Sequence, residues 1–329
     1  MRNLILSYDY ELFFGEKSGT VENTLIKPTN LILDAMDNVG FKGNFFVDYL
    51  MLKYLAKEQE TQAQKDLGKI HKQLKDIVKR GHRIELHLHP HWVDAKYNGD
   101  GTWDYSEFRH YSLSTFTENE IVDMFNEGTD YLNKLAKEVE PNYRVCAFRA
   151  GGWAVQPFDK LKKGFSEAGI RIDSSVAHGA CGKNQYSCFD FRNAPSDEMY
   201  HFNDDVCRKE NEGEFLEVPI SSSNRWLLYR IIDKIHRILS RKLRVIADGT
   251  HKRNDLKEEI LRTNSVWCQP GSMHTLSRIS PITVFIRALI CRRELLVYID
   301  HPKDFTYSAL TSIRLLAKIF NSVTYRDLI

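Results

Sequence analysis

The segment HRIELHLHPHW, residues 82 to 92, alternates as a β-strand does and has histidines at positions 87, 89 and 91. In an extended strand every second side chain shares a face, so His87 and His89 face one way and the apolar residues face the other. Pro90 has no backbone N–H for a ladder hydrogen bond and closes the strand. The segment therefore predicts a strand that carries imidazoles to its carboxyl end.

The spacing of His87 and His91 is HxxxH, a separation from which two imidazoles can reach one metal ion. A half-exposed strand edge with solvated histidines explains the same residues. From this segment alone both interpretations remain open.

The amino-acid composition excludes several classes of protein for this chain. The chain has 329 residues, 42% of them hydrophobic, which is enough for a large core in one big α/β domain or two smaller ones. Its 46 basic and 44 acidic residues nearly cancel to a net charge of +2, so no overall field favours nucleic acid as a partner. The six cysteines form no CxxC pair, which argues against a zinc knuckle or a disulfide framework.

The first 15 residues have the pattern of a strand and lack that of a signal peptide. No run of about 18 apolar residues occurs, so no membrane-spanning helix is expected. With reduced thiols as the simplest account of the cysteines, we expect a cytoplasmic protein.

Short apolar runs alternate with longer helical patterns along the chain. The predicted strands are 4–9, 43–47, 82–89, 144–149, 170–173, 214–219, 265–268 and 294–300. The predicted helices are 28–39, 66–80, 118–138, 157–168, 225–242 and 306–320. Such alternation predicts mainly parallel strands in a wound sheet or a barrel. The polar stretch 176–213 is predicted to be a long loop over the core.

Chemically distinctive side chains follow the ends of five different predicted strands. They are Asp9 and Glu11, then His87, His89 and His91, then Arg149, then Asp173, and finally Asp300 with His301. In parallel α/β folds the carboxyl ends of the strands form one edge, where the chemistry is done. Taken singly, each residue has a simpler explanation as a solvated strand exit, a cap or a turn residue, but five such explanations together are less economical.

The set also fits one kind of chemistry. His87, His91 and a carboxylate would hold a divalent metal with open positions, and a second carboxylate would accept a proton from water. Arg149 would keep that base ionised and oriented. These residues predict hydrolysis of an amide or an ester.

The order of motifs SYDYE, GHRIELHLHPH, FRAGGW, IDSSV and YIDHP resembles that of the polysaccharide deacetylases, carbohydrate esterase family 4, with the NodB-like homology domain. The resemblance runs from Asp9 to His301, nearly the whole chain, and is strongest in the second motif. KGNFFVD resembles the family's second strand, and the closing SVTYRDLI resembles its last strand.

The resemblance implies an α/β fold, a distorted (β/α)7-type barrel with helical insertions, and metal-dependent removal of an acetyl group from a sugar. It implies that Asp9 is the catalytic base, that Arg149 orients it, and that His301 is the catalytic acid, supported by Asp173. His87 and His91 match the two metal-binding histidines.

The first motif departs from the family pattern because Tyr10 replaces its second aspartate. Some relatives use an acidic residue two positions after the base, so Glu11 is our predicted third ligand. His89 is predicted either to orient a ligand or to replace one. Zinc is the expected metal, and cobalt, nickel or manganese would fit the same ligands. The motif RAGGW resembles cytoplasmic polysaccharide-biosynthesis members of the family.

The predicted partner is an acetylated sugar or saccharide, nucleotide-linked, lipid-linked or free. We expect one catalytic domain over 1–329, with a helical and charged insertion at about 225–280. Within it, 225–244 has the pattern of a basic amphipathic helix that either contacts an anionic membrane or packs on its own domain. The rival hypotheses are a carbohydrate-binding descendant without catalysis and a related metal-dependent glycosidase or phosphoesterase.

Overall fold

A computed structural model describes residues 1–255, 258–259, 265 and 267–329. The strands are, in chain order, β1 (Arg2–Tyr10), β2 (Gly43–Asp48), β3 (Arg83–Leu88), β4 (Lys96–Tyr97), β5 (Trp103–Asp104), β6 (Ala147–Ala150), β7 (Ile172–Asp173), β8 (Cys181–Asn184), β9 (Cys188–Asp190), β10 (Tyr200–Phe202), β11 (Phe215–Glu217), β12 (Ser222–Trp226), β13 (Glu258–Glu259), β14 (Cys268–Met273), β15 (Leu295–Asp300) and β16 (Phe320–Ser322). The α-helices are α1 (Lys27–Asp37), α2 (Tyr49–Lys57), α3 (Thr61–Lys79), α4 (Glu118–Lys137), α5 (Asp159–Ala168), α6 (Leu227–Leu239), α7 (Pro281–Ile290) and α8 (Tyr307–Leu316). Short 3₁₀ or π turns include Glu22–Ile26, Pro90–Val93, Leu113–Thr115, Gly151–Trp153, Arg241–Leu243, Pro302–Asp304 and Tyr325–Leu328.

The main sheet has the strand order β10, β11, β7, β6, β3, β2, β1 and β15, and β16 pairs with the first residues of β1. All of these pairs are parallel except β10 with β11. The sheet curls into a half-barrel with the helices packed around it. The predicted distorted α/β barrel is therefore confirmed.

The two faces of the sheet have different neighbours, as alternation along β1 requires. Leu4, Leu6 and Tyr8 belong to the large core that packs against the helices. Ile5 belongs to a smaller cluster inside the curl, with Phe46, Ala147, Ile172, Leu216, Val297 and Tyr325. Asp9 has the same parity as Ile5, so its side chain belongs to the inner face, at the carboxyl end of the strand.

The structure corrects several predicted elements. The stretch 176–213, predicted to be a loop, contains β8, β9 and β10. The predicted last strand in SVTYRDLI lies earlier, at β16, and Tyr325–Leu328 forms a 3₁₀ turn. The predicted strand 265–268 begins only at Cys268, as β14, and position 266 lies outside the described residues.

The chain between β12 and β14 leaves and rejoins the domain through an antiparallel pair of strands. It contains α6, and its contacts with the rest of the chain include bridges from Lys17 to Thr250 and from Val245 to Thr306 and the pairing of β13 with β8. The single-domain organisation with an insertion at about 225–280 stays a prediction. No helix in the described part of the chain has the length and apolar character needed to span a bilayer.

Candidate active site

Asp9 and Glu11 leave β1 on the inner face of the sheet, whereas Tyr10 points to the helices. The Tyr10 hydroxyl donates a hydrogen bond of 2.8 Å to Gln73 Oε1 on α3. Tyr10 is fully buried there. The residue that replaces the second aspartate is thus part of the packing between sheet and helix, and the two neighbouring carboxylates share the site.

His87 is held at the end of β3 by a backbone carbonyl. Its Nδ1–H donates a 2.6 Å hydrogen bond to the Arg149 carbonyl oxygen. Its Nε2 is buried without a hydrogen-bond partner and lies 3.6 Å from Glu11 Oε2. Burial acts to lower the pKa of His87, but the negative charge of Asp9 with that of Glu11 raises it to about 9. Asp9 and Glu11 therefore favour a positive charge at the position of His87.

His89 lies beside His87 and contacts the same carboxylate. Its Nε2 is 2.5 Å from Glu11 Oε2, and its backbone N–H donates to Asp48 Oδ1. A Cβ atom added at Gly151 would lie 2.6 Å from His89 Nδ1, so the first glycine of RAGGW leaves the space that this imidazole occupies.

His91 lies beside His89, with ring centroids 5.1 Å apart, but outside the contacts that Glu11 makes. Pro90 begins a 3₁₀ turn, and the turn directs the His91 ring into a group of aromatic rings. Its neighbours are Phe14, Trp92 and Tyr105, with ring centroids 4.3 to 5.4 Å away. Its Nδ1 is buried without a hydrogen-bond partner, and burial lowers its pKa well below the usual range.

Arg149 is completely buried and fixes the orientation of Asp9. Its Nη1 donates to Asp9 Oδ1 at 2.6 Å, and its other nitrogens donate to the Ser7 hydroxyl, to Ser174 and to the Tyr325 hydroxyl. Burial favours the neutral form of Asp9, but the charges of Arg149, His87 and His301 together lower the pKa of Asp9 below its usual value. Asp9 is therefore ionised and held in one orientation.

His301 completes the site from the end of β15. Its Nε2 is 3.5 Å from Asp9 Oδ2 and 3.5 Å from Glu11 Oε1. Its Nδ1 is 3.8 Å from Asp304 Oδ2. Burial lowers the pKa of His301, although Asp9 opposes the shift.

Asp173 was predicted to support His301, but its hydrogen-bond partners are different residues. Its carboxylate accepts hydrogen bonds from the Ser175 N–H and the Ser175 hydroxyl. It also neighbours Glu217, and burial raises the pKa of both carboxyl groups. In the described residues the carboxylate beside His301 Nδ1 is Asp304.

Lys303 is a site residue that the sequence analysis missed. It is buried, and its Nζ is 2.9 Å from Glu11 Oε1. Although burial favours the neutral form of Glu11, the charges of His89 and Lys303 lower its pKa well below the usual range. The only signal was its position two residues after His301, which a strand pattern does not single out.

Two overlapping groups in the described residues have the composition and spacing of a metal site. The first contains Glu11, His87 and His89, and the second contains Asp9, Glu11 and His301; within each group the ligand atoms lie within 4.8 Å of one another. Thus the structure brings together the predicted Asp9, Glu11, His87 and His301 with His89, which was predicted to orient or replace a ligand, while His91 and Asp173 lie outside both groups.

Comparison with known proteins shows similarity in structure. No family model and no curated protein matches the sequence. The 4-alpha-glucanotransferase of Thermococcus litoralis matches with a TM-score of 0.53 and 11% identity, over 99% of this chain and 40% of that protein. The Bc1960 peptidoglycan N-acetylglucosamine deacetylase matches with a TM-score of 0.44 and 14% identity, over 99% of this chain and 87% of that one. The peptidoglycan deacetylase PdaC from Bacillus subtilis matches with a TM-score of 0.41 and 11% identity, over 99% of this chain and 89% of that one.

The half-barrel with carboxylates and imidazoles at one edge defines the class of fold. The motifs of the chain resemble those of the polysaccharide deacetylases of carbohydrate esterase family 4, and deacetylase structures are among the structures that match. Because the identities are at most 14%, these similarities concern the fold, and activity has to be argued from this chain's own residues.

Proposed function

We propose that this protein is a metal-dependent hydrolase that removes an acetyl group from an N- or O-acetylated sugar or saccharide. The observation that carries the proposal is the convergence of Asp9, Glu11, His87 and His301 at one edge of the sheet, with Arg149 fixed on Asp9. A protein that only binds carbohydrate has no need for an oriented base together with a histidine acid.

The residues present fit a divalent cation. His87 donates its Nδ1 proton to a carbonyl, so in the neutral ring Nε2 carries the lone pair that binds a metal. That atom is buried without a hydrogen-bond partner beside Glu11. Glu11, His87 and His89 are the ligands we propose, with zinc as the expected metal. A cation bound there supplies polarisation of the acyl carbonyl and acidification of water.

The remaining residues have roles in proton transfer. Asp9, kept ionised by Arg149, accepts the proton of the attacking water. His301 donates a proton to the departing amine or alkoxide, and its lowered pKa makes its protonated form a stronger acid. Asp304, 3.8 Å from Nδ1, favours the protonated imidazole electrostatically.

The test is acetate release from a panel of N-acetylated nucleotide sugars and lipid-linked saccharides, with and without added zinc. We expect metal-dependent acetate from the wild-type protein and a loss of at least about 100-fold in Asp9→Asn, since general-base catalysis contributes about that much. Asp123→Asn, an exposed carboxylate on α4, is the matched control and should behave as wild type.

Bound metal without acetate across the panel would contradict the proposal and favour a glycosidase or a phosphoesterase. Loss of metal binding together with retained binding of a saccharide would instead favour a protein that recognises carbohydrate without cleaving it.

We also propose that α6 contacts an anionic membrane. Its side chains Leu228, Ile231, Ile235, Ile238 and Leu239 are exposed, and the last two are 73% and 80% exposed. The segment 225–244 has seven basic residues and one acidic residue in a chain of net charge +2. The acidic residue, Asp233, is buried and paired with Arg225. An exposed apolar stripe with this excess of positive charge suits a lipid surface. A cytoplasmic location remains part of the same proposal.

Sedimentation with vesicles tests this contact. The wild-type protein should bind vesicles that contain phosphatidylglycerol and phosphatidylcholine, and bind pure phosphatidylcholine less. The double variant Ile235→Asp, Ile238→Asp should lose binding, whereas Met199→Asp, an exposed apolar residue outside α6, should keep it. Equal binding by the double variant would contradict the membrane contact.

A further inference from the structure

A cavity of about 310 Å³ opens beside His301. Its walls include three arginines, Arg225, Arg237 and Arg278, together with the carboxylates of Asp300 and Asp304. The arginines come from β12, from α6 and from the connection between β14 and α7, so three separate segments deliver guanidinium groups to one space. The cavity therefore shares His301 with the proposed catalytic site.

The two carboxylates of this cavity are already occupied by donors from the protein. Asp300 accepts hydrogen bonds from the Ser277 N–H, the Ser277 hydroxyl and the His301 N–H. Asp304 accepts from His251 at 2.9 Å and pairs with Arg278 at 3.1 Å. Asp304 thus has two partners of its own, and the hydrogen bonds of Asp300 come from neutral donors.

Two of the arginines, in contrast, have N–H groups without an acceptor among the described residues. Arg237 has no ion pair or hydrogen bond to any described residue, and Arg225 pairs with Asp233 through Nη2 while its Nε is buried without an acceptor. A guanidinium has five N–H donors, and one carboxylate partner uses only some of them. The backbone of Arg278 has φ 63°, in the left-handed region, a conformation that costs energy in a residue with a side chain.

We propose that this cavity binds a phosphate group of the substrate. The inference rests on the proposed deacetylase function and narrows its substrate to a phosphate-bearing saccharide, since the oxygens of a phosphate match the geometry of arginine forks and accept from their unused N–H donors. With His301 common to both sites, the phosphate binds next to the saccharide whose acyl group is removed. A nucleotide-linked and a lipid-linked saccharide share this chemistry.

The first test measures binding of inorganic pyrophosphate by calorimetry, which requires no turnover. Wild-type protein should bind it, and Arg237→Gln should weaken binding about five-fold or more, since hydrogen bonds to charged groups are the strong ones. Arg241→Gln is the matched control, because Arg241 lies just after α6 and is absent from the cavity lining. No binding by the wild type, or equal weakening in both variants, would overturn the proposal.

The second test compares acetate release from N-acetylglucosamine, its 1-phosphate, a uridine-diphosphate-linked form and a polyprenyl-diphosphate-linked form. The KM should be lower for a phosphorylated substrate than for the free sugar, and Arg237→Gln should raise that KM with a smaller effect on kcat. The linked form with the larger Arg237-dependent change in KM identifies the source of the phosphate.

The two proposals can fail separately. Acetate release that is indifferent to phosphate and to Arg237 would overturn the phosphate site and leave the deacetylase intact. Pyrophosphate binding that depends on Arg237, with no acetate from any substrate, would overturn the deacetylase on which the assignment of this phosphate to the substrate rests.

Discussion

Arg149 connects the chemistry of the site to the stability of the fold. It is entirely buried, and in the described part of the chain its ion pair is with Asp9 at 2.6 Å, within a shell of hydroxyl and carbonyl acceptors. Removing one partner of such a buried pair leaves an uncompensated charge, which costs more than the pair contributes when it is intact.

We predict that Arg149→Met destabilises the protein by about 3 kcal/mol or more, within the usual range for a broken buried pair. Urea unfolding followed by circular dichroism measures this. Arg171→Met is the control, because Arg171 is half exposed and its pair with Glu214 at 3.3 Å is at the surface. Similar losses in both variants would show that Arg149 has no special structural role.

The histidine ligands show how far sequence spacing can be trusted. The HxxxH separation predicts His87 and His91 as ligands, a pair that assumes one regular conformation from residue 87 to residue 91. Pro90 begins a 3₁₀ turn instead, which places His91 among aromatic rings and leaves His89 beside Glu11. In a strand every second residue shares a face, which places His87 and His89 on the same side. This alternation agrees with the group of Glu11, His87 and His89 in the structure.

We therefore predict that His89→Ala loses stoichiometric zinc while His91→Phe keeps it, measured by metal analysis of the purified proteins. Phenylalanine preserves the contacts with Phe14 and Tyr105 and removes a buried nitrogen that has no partner. If His91→Phe loses zinc and His89→Ala retains it, the assignment from HxxxH spacing is the correct one.

Among the elements, alternation of polar and apolar residues identified the strands that carry the site, because each has one face toward the helices. The same reasoning missed α2, since YLMLKYLAK buries residues around most of its circumference and leaves little helical periodicity to detect. It also missed α7, where β-branched residues are typical of a strand and Pro281 at the first turn favours a helix. In α2 and α7, packing against the rest of the fold determines the helical conformation more than the local sequence pattern does.

The junction of β2 with β3 provides a pH-dependent prediction. His82 Nδ1 accepts a 3.0 Å hydrogen bond from the Gly43 N–H, and Nε2 donates to Asp37 Oδ1. Protonation would place a second proton against that N–H, and burial lowers the pKa of His82 to about 4. Because the folded state binds this proton less readily than the unfolded state, the contribution is complete above about pH 6.5 and is lost as the pH falls toward 4.

We predict that this one group accounts for about 3 kcal/mol of the stability lost between pH 7 and pH 4. His82→Gln should flatten the stability profile in that range when urea midpoints are compared with those of the wild type. An unchanged slope in the variant would assign the acid sensitivity to other groups.

For the whole molecule, the sequence predicted a distorted α/β barrel of mainly parallel strands, and it predicted that the distinctive side chains lie together at the carboxyl ends of those strands. It did not predict how the inner face closes. Tyr325, from the last turn of the chain, reaches the interior and contacts Arg149 and Ser174 through its hydroxyl at 3.1 and 2.7 Å. No local pattern shows that a residue so far along the chain supports the site at Asp9, because the contact depends on the closed topology.

Because of that topology, metal binding should raise the free energy of unfolding of the whole domain. The proposed ligands Glu11 and His87 extend from β1 and β3, which are separated by β2, so a bound cation would connect strands that are distant in sequence. An ion that binds only the folded state stabilises it by about 2.7 kcal/mol when its free concentration is 100 times the Kd. We predict that zinc raises the free energy of unfolding by this amount and that His87→Ala abolishes the rise. His71→Ala is the control and should retain the rise, because His71 is hydrogen-bonded to Tyr131 on α4, away from the proposed ligands. Urea titrations with zinc and with a chelator measure it, and an equal effect in both variants would place the zinc elsewhere.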